Sequence, residues 1–110
     1  MTSQALLTVA SILFCLGLFC VLTRRNAVSI LMGVELILNA ANINLVVFSN
    51  FAGAGAARSG APSPVVAGHL FVVFTVLLAA AEAAVALAIV LAIFRRMGTV
   101  EVDKLDTLRE

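Results

Sequence analysis

The chain has 110 residues, of which 63% are hydrophobic and 12% charged, with a net charge of +1. An average soluble domain carries roughly 25% charged residues, and a fold this small cannot cover so much apolar surface with so few polar side chains. The balance argues against a water-soluble domain and leaves no basic footprint for nucleic acid. It predicts an all-α integral membrane protein with the lipid bilayer as its solvent.

The first apolar run spans about residues 5–22 and ends at Thr23-Arg24-Arg25. Met1 to Gln4 carry no basic residue and no A-x-A pattern precedes Arg24, so this run is expected to be a retained span rather than a cleaved signal peptide. Cys15 and Cys20 lie within it, five residues apart. That spacing fits neither a redox pair nor a zinc site, and both read as small buried apolar residues. A second run covers about 27–48, interrupted by Ser29, Glu35 and three asparagines. A third covers about 70–94, interrupted by Thr75 and Glu82, and ends at Arg95-Arg96. Each is near or above the ~20 residues a helix needs to cross ~30 Å of hydrocarbon. Between the second and third runs, 49–66 is rich in Gly, Ser, Ala and Pro and is expected to be a flexible loop outside the membrane. The tail, 97–110, mixes both charge signs and is polar enough to lie in water, with Leu105 and Leu108 available to rest on a partner.

Charge placement then orients three transmembrane helices. Arg24, Arg25, Arg95, Arg96, Lys104 and Arg109 fall on one side and Arg58 alone on the other. The positive-inside rule puts the N-terminus outside, and the Arg24–Arg25 turn and the C-terminal tail in the cytoplasm.

Two carboxyl groups stand inside this frame. Glu35 lies ten residues beyond Arg25 and Glu82 thirteen before Arg95, which places them ~15 Å and ~20 Å from the same boundary. Both are therefore near the midplane. A charge there costs ~3 kcal/mol even on insertion scales, so a buried carboxyl whose ionisation a neighbour can switch has the chemistry of a proton relay. Asn39 and Asn42 follow Glu35 at i+4 and i+7 and share its face. Buried asparagines can bridge helices or hold water beside a carboxyl. Thr75 shares the face of Glu82, with a bond to its own backbone as its common fate. Alanines crowd round Glu82, which suggests a helix enclosed by protein. Three helices cannot surround themselves, so a larger partner is expected. His69, at the outer end of the third span, reads as an interfacial polar residue. A secondary expectation is an electrostatic contact from Arg24 or Arg25 to Glu35 across a flexible turn.

Four stretches carry a resemblance: Arg25-Asn26-Ala27, Gly33-Val34-Glu35-Leu36-Ile37-Leu38-Asn39-Ala40-Ala41-Asn42, Ala79-Ala80-Ala81-Glu82-Ala83-Ala84-Val85-Ala86-Leu87-Ala88-Ile89, and Gly98-Thr99-Val100-Glu101-Val102-Asp103. Together they resemble the subunit K family of the proton-pumping NADH-quinone oxidoreductase, respiratory complex I. The resemblance implies a three-helix subunit of a bacterial inner-membrane complex, packed among other membrane-arm subunits that include an antiporter-like one. It implies no cofactor in this chain, with NADH, FMN, iron–sulfur clusters and quinone used at other subunits. It maps the family's two proton-path glutamates onto Glu35 and Glu82, and its arginines of the cytoplasmic turn onto Arg24 and Arg25. The sequence departs from the family pattern in a longer loop, in His69 where glutamine is common, and in Ala86 where glycine is common.

Other classes fit less well. The small subunit of a multisubunit cation/proton antiporter resembles this fold but generally lacks the glutamate of the second span. A small multidrug exporter needs four spans, and this chain, with no Trp or Tyr, lacks the aromatic groups that line interfaces and cage cations. A purely structural assembly subunit would leave two costly carboxyls without a use.

Overall fold

The computed structural model describes residues 2–60 and 63–105. Three helices carry the fold: α1 Ser3–Thr23, α2 Ala27–Ser59 and α3 Val65–Met97, followed by a 3-10 turn at Val102–Lys104. All three are long and apolar enough to cross a membrane, so the all-α, three-helix expectation holds. Asn26 starts α2 as its N-cap, its side chain accepting from the Val28 N–H at 2.9 Å, which satisfies one of the free donors at the helix start.

The expected loop at 49–66 is corrected. α2 continues through Ser59 and α3 begins at Val65. Alanine has the highest helix propensity, and Ala52, Ala54, Ala56 and Ala57 outweigh Gly53 and Gly55 there. The helix ends at Gly60, whose φ of 70° closes it in the left-handed region with its N–H on the Ala56 carbonyl. Ala61 and Pro62 of the expected loop lie outside the described residues. At ~1.5 Å per residue, α2 and α3 are each about 50 Å long, well beyond the ~30 Å hydrocarbon thickness.

α2 is the central helix, packed against both α1 and α3, which hardly touch each other. Its buried residues include Gly33, Ala40 and Val47, and those of α1 are Ala10 and Gly17. These recur every seven residues, the spacing that keeps a seam on one side of a helix. At the closest point the backbones nearly meet: a Cβ built on Gly17 would stand 2.7 Å from the Gly33 carbonyl oxygen, and one on Gly33 would stand 2.9 Å from that of Gly17. Small residues permit this approach, which in lipid replaces the hydrophobic drive. Cys20 crosses the same seam, its thiol donating to the Ser29 carbonyl at 3.1 Å, and Cys15 is exposed on α1. The expectation that both are buried fails at Cys15, which lines an open groove at the rim of this seam with Ile37 and Ala41 of α2.

The tail also departs from expectation. Gly98, at φ 70°, turns the chain back after α3. Residues beyond it pair with the α1–α2 turn. The Ala27 N–H donates to the Val100 carbonyl and the Val102 N–H to the Arg25 carbonyl, each at 2.9 Å, forming an antiparallel bridge between Asn26 and Glu101. Arg25 Nε lies 3.2 Å from Asp103 Oδ2. This clasp ties the start of α2 to the end of α3. Leu105 is half-buried, while Leu108 and Arg109 lie outside the described residues.

Candidate functional site

The site candidates lie on the α2–α3 seam. On α2, Glu35, Asn42 and Ser49 are spaced by seven residues, and on α3 so are Gly68, Thr75 and Glu82. The helices run in opposite directions, so the two series meet in reverse order. A Cβ on Gly68 would clash with Cβ of Ser49, the two being in intimate contact. One level further along, Thr75 Oγ1 donates to Asn42 Oδ1 at 2.7 Å, with the Val72 carbonyl also 2.9 Å away. Thr75 thus has the own-backbone contact expected of it, at i−3, and shares its one proton with Asn42 on the neighbouring helix.

Seven residues separate Asn42 from Glu35, and seven separate Thr75 from Glu82. Equal steps along antiparallel helices leave the two carboxyls level, ~10 Å beyond the Asn42–Thr75 contact. Their surroundings differ. Glu35 is half-buried and lines a groove of about 540 Å³ between α2 and α3, with Met32, Leu36 and Asn39 on one side and Ala83, Ala84 and Leu87 on the other. The two alanines leave the space that larger side chains would fill.

Glu82 is exposed on this chain, and its alanine neighbours alone do not enclose it. A straight helix drifts ~20° per seven residues relative to a strict heptad. Two heptads beyond Gly68, Glu82 has therefore turned off the seam, and Ala79, Ala83 and Ala86 take the half-buried positions. No residue of α3 is fully buried. Covering Glu82 requires surface from outside this chain.

Asn39 donates to the backbone carbonyl of Glu35 at 3.0 Å and does not hold its carboxylate. It lines both the Glu35 groove and a neighbouring cavity of about 280 Å³ shared with Asn42, Val46 and Val72. Both spaces are lined mostly by apolar side chains, with Glu35, Asn39 and Asn42 as their polar members. Glu35, Asn39 and Asn42 thus follow one another in a line along two adjoining spaces, and Thr75 joins Asn42 directly.

The arginine turn sits apart from this line. The ion pair made by Arg25 is with Asp103, so the expected contact to Glu35 is not made, and the turn is held by the tail rather than flexible. Arg24 is exposed. His69 directs Nδ1 to the Val65 carbonyl at 2.7 Å; since a carbonyl only accepts, that nitrogen carries the proton. Sequence reasoning missed the clasp. Its signal was slight: a glycine stop at Gly98, the β-prone Thr99-Val100 and Val102, and Asp103 opposite in sign to Arg25.

Residues 5–110 match the family described as NADH-ubiquinone/plastoquinone oxidoreductase chain 4L. A protein of Chlorobaculum parvum named NADH-quinone oxidoreductase subunit K is 52% identical over 104 residues, covering 94% of this chain and 89% of the relative. Its counterpart from Chlorobaculum tepidum is also 52% identical, with 94% and 87% covered. One of the same name from Bacillus cereus is 50% identical over 107 residues, with 97% and 94% covered. With a match over nearly its whole length, the chain belongs to the NADH-ubiquinone/plastoquinone oxidoreductase chain 4L family, the subunit K family of NADH-quinone oxidoreductase.

Proposed function

We propose that this chain couples quinone reduction to proton movement through Glu35 and Glu82, as a non-redox subunit in the membrane arm of a bacterial inner-membrane NADH-quinone oxidoreductase. The observation that carries the reading is the level placement of two carboxyls on adjacent helices, one of them in a groove that Asn39 also lines. A carboxylate at that depth is costly to maintain. A change of charge or hydration nearby therefore changes whether it holds a proton.

In this mechanism, quinone reduction elsewhere in the complex alters the field at the Glu35 groove. Glu35 takes up a proton, and water beside Asn39 carries protons along the seam, with Asn42 and Thr75 as polar support. Glu82, on the outward face of α3, exchanges with polar groups of a neighbouring antiporter-like subunit. The Arg24–Arg25 turn and the tail face the cytoplasm, with the N-terminus outside. NADH, FMN, iron–sulfur clusters and quinone act at other subunits, and this chain supplies titratable groups only.

Glu35→Gln and Glu82→Gln keep side-chain shape and remove ionisation. In assembled complex, each variant is expected to lose quinone-linked proton pumping, on the order of 100-fold for a group that must transfer the proton itself. Pumping and turnover equal to the parent in both variants would refute the proposal.

A further inference from the structure

We infer that the Asn42–Thr75 hydrogen bond is the positioning contact that sets the register of α2 on α3 and so keeps Glu35 and Glu82 level. The carboxyls themselves do not fix their height: Glu35 faces the open groove and Glu82 the outside of α3. Apolar contacts on this seam also constrain sliding weakly. Around Glu35 the facing α3 residues are Ala83, Ala84 and Leu87, and α3 buries no side chain completely. Towards the other end, Gly68 accommodates Ser49 and Gly53 accommodates Val65, which fixes how closely the helices approach. These notches act at the far end of the seam, ~10 Å beyond Asn42 and Thr75, whereas the bond acts one heptad from the carboxyls.

The 2.7 Å bond from Thr75 Oγ1 to Asn42 Oδ1 is, among the described residues, the one hydrogen bond between two side chains that joins helices. Its geometry is satisfied at one axial offset. A slip of one turn, ~5.4 Å, breaks it, leaving the Asn42 amide oxygen without the hydroxyl and Thr75 with the Val72 carbonyl of its own helix. The same slip puts one carboxyl a full turn out of level with the other. Asn42 and Thr75 are thus positioning residues: neither exchanges a proton, and each acts through the placement of Glu35 and Glu82. What this says of register stands on the contact alone; what it says of pumping rests on the proton-relay reading above.

The test uses assembled complex in native membranes. Val46 and Val72 line one cavity at the level of the bond, so V46C and V72C report register by disulfide formation, with C15A and C20A in the same background. The disulfide is expected to form readily in the parent and with Thr75→Ser, which keeps the hydroxyl. With Thr75→Val, which keeps the shape, its yield is expected to fall several-fold. Separately, without the added cysteines, Thr75→Val should lower protons pumped per electron several-fold at an unchanged content of complex, and Thr75→Ser should restore them. Asn42→Leu should match Thr75→Val, and the double variant should be no worse than either single one, because all three lose one shared contact. An unchanged disulfide yield in Thr75→Val, or additive losses in the double variant, would overturn the inference. A lower yield with parental pumping in both Thr75→Val and Glu35→Gln would uphold the register and remove the proton relay.

Discussion

The two seams of α2 differ in kind. Against α1, glycine and alanine recur every seven residues and the backbones touch at Gly17 and Gly33. Against α3, the contact is tight only at the Ser49–Gly68 end, is joined by a polar bond in the middle, and opens into a groove at Glu35. Close-packed backbones resist displacement, whereas a polar, partly open seam admits water and charge. One helix therefore holds the fold on one side and presents chemistry on the other. Glu35, half-buried on α2, has one neighbour fixed and one adjustable.

This contrast is broken most sharply by adding bulk. Gly33→Leu inserts a side chain where even a Cβ would stand 2.9 Å from a methyl of Val21. Overpacking of this kind costs about 1–3 kcal/mol or more, and the chain is expected to vanish from assembled complex on immunoblots of membranes. Parental levels would show that the α1–α2 seam is not the rigid one.

Ala83→Leu places comparable bulk in the Glu35 groove. Assembly is expected to persist while pumping falls by about tenfold, since displaced water breaks a path without unpacking a helix. Lost assembly would make the groove a packing surface instead.

The clasp should matter less. Val102→Pro removes the N–H that donates to the Arg25 carbonyl, a loss of about 1 kcal/mol. It should appear as faster proteolysis of the tail with pumping largely kept. Asp103→Asn ranks last. Its side chain is 63% exposed and that of Arg25 79%, so the pair contributes about 0–1 kcal/mol. A thermal-stability difference from the parent should be marginal, and smaller still at high salt.

Much of this was legible in the sequence because lipid imposes strong patterns. Length and apolarity marked three helices, and their odd number predicts the Arg24–Arg25 turn and the tail at one end, where the clasp joins them. Counting residues set Glu35 and Glu82 at similar distances from the Arg24–Arg25 turn and Arg95–Arg96, and the antiparallel register brings the two level. The 49–59 segment was misread because Gly, Ser and Pro signal a loop, although four alanines there favour helix and the stop falls at Gly60. The exposure of Glu82 was illegible for a different reason. Alanines mark a surface fit for close packing but not which molecule supplies the other side, and the drift that turns Glu82 off the seam shows only once the seam is fixed. The tail clasp depends on backbone pairing, which side-chain identity barely encodes.

The central claim is that Glu35 changes its protonation during turnover. Reaction-induced infrared difference spectra of the assembled complex, driven by NADH and quinone, address this directly in the carboxyl-stretch region. A carboxyl band present in the parent and missing in Glu35→Gln is the expected result; identical bands in the two would contradict the account.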